Sequence, residues 1–141
     1  MTIGRIIVGR RAPITCSVAT AVSKAIELLA EQRIGALPVM DGQELVGIFS
    51  ERDVIYRLRE SGAGVLALPV GQVMTTPPVT ATAETSALEA LTLMTQRRIR
   101  HLPIVEGKRM IAFVSIGDLV KHRLDKVERE AAQMRTYIQT A

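Results

Sequence analysis

The chain has 141 residues, 48% of them hydrophobic, enough for one compact domain or two small ones packed together. Its net charge of +4 permits contact with nucleic acid, but the basic residues are spread along the chain and aromatics are only 3%, which argues against a base-stacking surface. No apolar run approaches the roughly 20 residues needed to cross a bilayer, and Ile6-Ile7-Val8 is too short for a signal peptide, so a soluble, cytoplasmic protein is expected.

In chain order, "TIGRIIVG" suggests a short lead-in helix that closes a cleft. "ITCSV" (14–18) follows as a β-branched strand, with Thr20 placed to cap a helix whose apolar stripe is Val22, Ile26, Leu29 and Ile34. "ALPVM" and "LVGIFS" then form a hairpin about Asp41-Gly42, and a second helix begins near Ser50. "ESGAGVLALPVGQVMTTPP" has the glycines and prolines of a linker, with one short turn at Val70–Met74. The same order then returns: "VTATA" (79–83), Thr85, a stripe of Leu88, Leu91, Met94 and Ile99, a hairpin about Glu106-Gly107, and a helix from Ser115.

This return is an internal repeat. "RIGALPVMDGQELVGIFSERDVIYR" (33–57) lies over "RIRHLPIVEGKRMIAFVSIGDLVKH" (98–122) without a gap, a constant shift of 65 residues, and Pro13, Thr15 and Thr20 fall on Pro78, Thr80 and Thr85. The expected fold is α/β of the α+β type: two β-α-β-β-α units and a long C-terminal helix. The expected division is 1–60 for the first repeat with its lead-in, 61–76 for a linker, 77–124 for the second repeat and 125–141 for a helical extension. In that extension Val120, Leu124, Val127, Ala131, Met134 and Ile138 step by heptad spacing, which suits either a dimer contact or packing on the chain's own domain.

Ser50-Glu51-Arg52-Asp53 and Ser115-Ile116-Gly117-Asp118 carry the chemistry. A serine followed three residues later by an acid is a capping box, and that reading accounts for the spacing by itself. It does not account for Arg52 or for the matching apolar-Pro strand before each copy. Cys16, the only cysteine, cannot form an internal disulfide; with His101 and His122 it makes no metal-ligand spacing, and its strand position suits a small packed residue. No catalytic residue and no metal is therefore expected.

The duplicated hairpin, "ALPVMDGQELVGIFSERD" and "HLPIVEGKRMIAFVSIGD", each preceded by a proline-hydrophobic-threonine strand, resembles a tandem pair of CBS domains (named after cystathionine β-synthase), a Bateman module. The resemblance covers about residues 13–124. It implies two units packed through their sheets about a pseudo-twofold axis, with two clefts that accept AMP, ATP, NAD(H) or S-adenosylmethionine as regulatory ligands. It also implies a ribose-binding role for Asp53 and Asp118, with Ser50 and Ser115 beside them. Adenine contact falls to Ile14-Thr15 and Val79-Thr80, and the opposite walls to Ala36-Leu37-Pro38 and His101-Leu102-Pro103. The chemistry fits: a carboxylate has about four acceptor sites for a diol, and a helix N-terminus favours a phosphate.

The first site is thus expected to hold Ile14, Thr15, Ala36, Leu37, Pro38, Ser50, Arg52 and Asp53. The second holds Val79, Thr80, Arg100, His101, Leu102, Pro103, Ser115, Gly117 and Asp118. With Arg97 and Arg98 close in sequence, the second is the more electropositive and the favoured nucleotide site, although those two arginines equally suit a solvated helix end. Ala112 stands where the first half has Gly47, which bears on how closely ligand or backbone approaches there. The expected function is a non-catalytic adenosine-nucleotide sensor, homodimeric as the resemblance implies, acting on a protein partner that the sequence does not name. The alternatives are a nucleic-acid-binding or protein-interaction module, and a nucleotide-acting enzyme. Against the enzyme stands the lack of a nucleophile-base constellation or a P-loop.

Overall fold

Two hairpins built from the Pro-containing segments and the β-branched segments after them anchor the two halves of the chain. The computed structural model describes residues 1–140; Ala141, the last residue of the expected extension, lies outside the described residues. In the first half, β1 (Cys16–Ser17) is followed by α2 (Val22–Gln32), β2 (Ala36–Asp41), β3 (Glu44–Ser50) and α3 (Glu51–Ser61). In the second half, α4 (Ala87–Arg97) leads to β4 (His101–Glu106), β5 (Arg109–Ser115) and α5 (Ile116–Thr140). A short α1 (Ile3–Ile6) precedes the first half, and two 3-10 turns, Gly62–Ala67 and Val70–Gln72, join the halves.

Hairpin register follows from the turn. Asp41 pairs with Glu44, and Glu106 with Arg109, so each loop has two residues. Gly42 and Gly107 take φ of +61° and +63° at the first loop position, and the residues after them keep negative φ, the type II′ pattern that matches strand twist. A register shift follows Val39 in one hairpin and Ile104 in the other, at equivalent positions.

The first-strand segments are shorter than the β-branched runs suggest. Cys16–Ser17 pairs parallel with Val39–Met40, whereas "VTATA" contracts to a single bridge, Ala81 to Ile104, in the same register. Thr20 and Thr85 do not cap helices. Their hydroxyls accept from the backbone N–H groups of Ser17 and Thr82, closing the turn before each helix. Ala21 occupies the N-cap of α2 without a side-chain bond, while Ser86 caps α4 in a full capping box with Glu89. The buried stripe of α4 is Ala87, Ala90 and Met94 rather than one through Leu88, which is 62% exposed. Leu88 stands about 100° around the helix from Ala87, and alanine at the contact lets the helix approach the sheet closely.

Segment 61–76, expected as a linker, is built into the first half. Val65, Val70 and Val73 join Cys16, Val22, Leu29, Leu37, Val39 and Phe49 in its core. The lead-in makes the corresponding contact with the second half, where Ile3 packs among Ala87, Ala90, Met94, Leu102, Ile104 and Leu119. Backbone bonds repeat the exchange: Val22 N–H donates to Leu68 O and Val70 N–H to Thr20 O, as Ala87 N–H donates to Met1 O and Ile3 N–H to Thr85 O. Each half therefore has its core completed, and an orphan N–H of its first helix satisfied, by the segment that precedes the other half. Such reciprocal exchange is what a pseudo-twofold relation between the halves produces. The halves meet where β3 approaches β5.

Candidate functional site

Both serine-aspartate pairs form caps. Ser50 Oγ accepts from Asp53 N–H at 3.3 Å, and Asp53 Oδ2 accepts from Ser50 N–H at 2.9 Å and from the Ser50 hydroxyl at 3.1 Å. Ser115 and Asp118 reproduce the two backbone bonds at 3.1 and 2.8 Å. The sequence gives these spacings because N-cap and N3 face each other across the first helical turn. Capping leaves part of each carboxylate free, and the surroundings of the two aspartates then diverge.

Asp53 opens into a cavity of about 350 Å³ between the halves, a volume in the range of small-molecule sites. The N-terminal end of α3 supplies Ser50, Arg52, Asp53 and Tyr56, and Gly35, Ala36 and Ile48 line it from the first sheet. Thr75, Pro78 and Val79 enter from the segment leading into the second half, and Arg97, Arg98, Ile99, Arg100 and His101 from the end of α4 and the start of β4. Asp53 is the only acid in this lining, set against four arginines. The Thr75 hydroxyl donates to Asp53 Oδ1 at 2.9 Å.

One of the arginines, Arg52, has its guanidinium structurally committed. Arg98 ends α4 in the left-handed region at φ 54°, and its carbonyl accepts from Arg52 Nη1 at 2.8 Å, a cation on the negative end of a helix. Arg33 is the left-handed counterpart at the end of α2, but the residue matching Arg52 is Gly117, which has no side chain to reach it. His101 stacks on Phe113 with ring centroids 5.4 Å apart. Burial, reinforced by the charge of Arg100, lowers its pKa below the ordinary histidine value against the opposing pull of Glu51 and Asp118, so the ring is neutral at pH 7.

Asp118 meets a different neighbour. Arg10 Nη1 donates to its Oδ2 at 3.0 Å, with both side chains one-third exposed. Burial is the largest influence on this carboxyl and opposes ionisation. It is outweighed by the Arg10 hydrogen bond, the Ser115 backbone N–H, the Arg10 charge and the Ser115 hydroxyl, so the pKa lies below the usual carboxylate range. Arg10 and Thr75 each stand three residues before the aligned prolines, Pro13 and Pro78. Equivalent positions thus deliver a guanidinium to one aspartate and a hydroxyl to the other.

The structure sorts the expected site residues differently from their order in the repeat. Val79, Arg100 and His101, grouped with Asp118 by their place in the second half, share the cavity of Ser50, Arg52, Asp53 and Ala36. Arg97 and Arg98 go with them, so the electropositive cluster belongs to the Asp53 cleft. The reason is the exchange of lead-in segments, which carries residues 75–79 across to the first half. Leu37, Pro38, Leu102 and Pro103 are buried in their own sheets and do not line the cavity. Neither do Ile14, Thr15, Thr80, Ser115, Gly117 and Asp118. Thr75 and Tyr56 line it without having been singled out from the sequence. The signal for Thr75 is its register with Arg10; nothing in the sequence marks Tyr56. Cys16 is buried, which pushes its thiol pKa up to about 11 and leaves it protonated and unreactive at neutral pH.

The CBS domain family model matches residues 3–60 and 70–125, one copy in each half. The chain belongs to the CBS-domain family. It is 36% identical over 129 residues to the mitochondrial CBS domain-containing protein CBSX3 of Arabidopsis thaliana, a match that covers 88% of this chain and 63% of that protein. Of the longer CBSCBSPB1 from the same plant it spans 22%. A CBS-domain protein from Agrobacterium tumefaciens has the same fold, with a TM-score of 0.81 and 30% identity over 87% of this chain and 99% of that one. CBSX2, solved in complex with AMP, superposes with a TM-score of 0.75 at 28% identity, covering 88% of this chain and 96% of that one. Both CBS copies are therefore present as a pair, and among the described residues no helix is long and apolar enough to cross a membrane.

Proposed function

We propose that this CBS pair is a regulatory module that binds an adenosine-containing nucleotide, without chemistry of its own, in the cavity at Asp53. The observation that carries the reading is the composition of that cavity: one carboxylate at a helix N-terminus, facing Arg97, Arg98 and Arg100 across about 350 Å³. Asp53 suits ribose hydroxyls, one of which would replace the Thr75 hydroxyl on Oδ1. The arginines and the positive end of the α3 dipole suit phosphate. Excess positive charge favours AMP, ATP or NAD(H) over S-adenosylmethionine, whose sulfonium is itself cationic. The complex of CBSX2 with AMP supports the same ligand class. Ser50 and Asp53 are tied to each other as a cap, which suits holding a ligand better than moving protons.

In this reading the Asp118 cleft, favoured on the repeat pattern alone, is the secondary one, because Arg10 holds the carboxylate that a ribose would need. Isothermal calorimetry with AMP, ATP, NAD(H) and S-adenosylmethionine tests the proposal. A phosphate-bearing adenosine compound is expected to bind the folded protein with one site per chain, Asp53→Asn to abolish binding and Asp118→Asn to leave it intact. If no adenosine compound binds, the ligand class is wrong; if Asp118→Asn alone abolishes binding, the cleft is wrong.

A further inference from the structure

α5 runs 25 residues, Ile116–Thr140, about 37 Å, and leaves the body of the protein part-way along. Leu119 is its only buried residue, Ile116, Asp118, His122 and Lys126 are half-buried, and every residue from 127 to 140 is exposed. A projecting helix of roughly four turns is marginal by itself in water. Its apolar residues nevertheless keep a seam: Val120, Leu124, Val127, Ala131, Met134 and Ile138 alternate steps of four and three, and the five large ones are exposed. With Leu124, Ala131 and Ile138 at heptad position a and Val120, Val127 and Met134 at d, the residues beyond the first turn (Ile116–Asp118) that touch the body fall at c (Leu119, Lys126) and f (His122). The body therefore covers the back of the helix and leaves the seam open.

We infer that α5 pairs with α5 of a second copy of this chain as a parallel two-stranded coiled coil. Charge at the flanking positions selects both partner and direction. Position g holds Arg123 and Glu130, and position e holds Lys121, Glu128 and Arg135. In a parallel pair each g residue faces the e residue five places on in the other helix, which sets Arg123 opposite Glu128 and Glu130 opposite Arg135. By symmetry each pairing occurs twice, and every one is attractive. In an antiparallel pair like positions face each other, setting Glu128 against Glu128, Glu130 against Glu130 and Lys121 against Arg135, all repulsive. Among the described residues Arg123, Glu128, Glu130 and Arg135 make no ion pair within the chain, so all four are available. This pairing does not depend on the ligand reading above.

The test uses the full chain. Val127→Cys and Met134→Cys, two d positions one heptad apart, are each expected to give a disulfide-linked dimer under mild oxidation, whereas Arg129→Cys on the outer face is not. Native Cys16 is buried and does not compete. In sedimentation equilibrium Glu130→Arg is expected to weaken self-association on the order of tenfold, because two attractive pairs become repulsive. Adding Arg135→Glu to that variant restores it. Circular dichroism on each variant confirms that the body remains folded. A monomeric chain, cross-linking at Arg129→Cys equal to that at Val127→Cys, absence of a Met134→Cys cross-link, or failure of the double exchange to restore association would each overturn the inference.

Discussion

Replacing Gly47 with alanine is expected to damage the first half at a point where the second half already carries alanine. Gly47 lies in β3 beneath the segment that enters the second half. A Cβ there would sit 2.5 Å from Met74 Sδ and 2.9 Å from the Thr75 carbonyl oxygen. The methionine side chain can swing away, but the carbonyl is backbone and is held in place: Thr75 O accepts from Ile48 N–H at 3.0 Å, and Thr75 N–H donates to Ile48 O at 2.8 Å. Relief therefore requires the segment to lift from the strand, straining both bonds and withdrawing the Thr75 hydroxyl from Asp53. At the matching place Ala112 is buried, and among the described residues Phe113 makes no bridge like that of Ile48 to Thr75. Overpacking of this kind costs about 1–3 kcal/mol. For a urea m-value of about 2 kcal/mol/M, the unfolding midpoint should fall by roughly 0.5–1.5 M. The control, Ala112→Gly, costs only about 0.5–1 kcal/mol, from strand flexibility. Urea denaturation followed by circular dichroism reads both. A Gly47→Ala midpoint equal to wild type, or a smaller loss than in Ala112→Gly, would refute the argument that close backbone approach requires this glycine.

Arg10→Ala should raise the Asp118 pKa, read by carbon-detected NMR titration, since the hydrogen bond and the charge of Arg10, which both lower it, are removed together. In the parent protein the depressed carboxyl contributes stability that is fully present above the ordinary aspartate pKa of about 4 and is lost as pH falls through the lower folded value. That acid-limb loss should shrink in the variant. The same substitution frees the second cleft, so calorimetric stoichiometry should rise from one nucleotide per chain to two. For His101 the sign is opposite to that of a paired histidine: its folded pKa is lowered, so it opposes the folded state as pH falls below about 6.5. A phosphate placed beside it would restore its affinity for a proton, so nucleotide affinity should increase from neutral pH toward pH 5.5, with proton uptake visible as a buffer-dependent binding enthalpy. Ser86→Ala removes the capping box of α4 and should cost about 1 kcal/mol, seen as a lower unfolding midpoint with ligand stoichiometry unchanged.

What the sequence determined by itself was local. The shift of 65 residues established two equivalent units; Gly42 and Gly107 set the hairpin turns, one residue further on than the Asp41-Gly42 and Glu106-Gly107 dipeptides suggest; Ser50 and Ser115 started helices. Each rests on contacts a few residues apart, so composition and spacing suffice. The β-branched run "VTATA" promised more strand than its single bridge delivers, because strand length depends on the neighbour available to pair with it. The heptad steps marked the seam on α5, but only the structure showed that the body covers its opposite side. The composition of the cavity was decided in the same way. A repeat says which residues are equivalent, and it is satisfied equally well whether each lead-in packs on its own half or on the other. Ile3 in the second core and Val70 in the first choose exchange, because each apolar lead-in buries its side chains against the helix and sheet of the opposite unit. From that choice follow the cluster Arg97, Arg98, Arg100 and His101 facing Asp53, the contact of Thr75 with one aspartate, and the contact of Arg10 with the other.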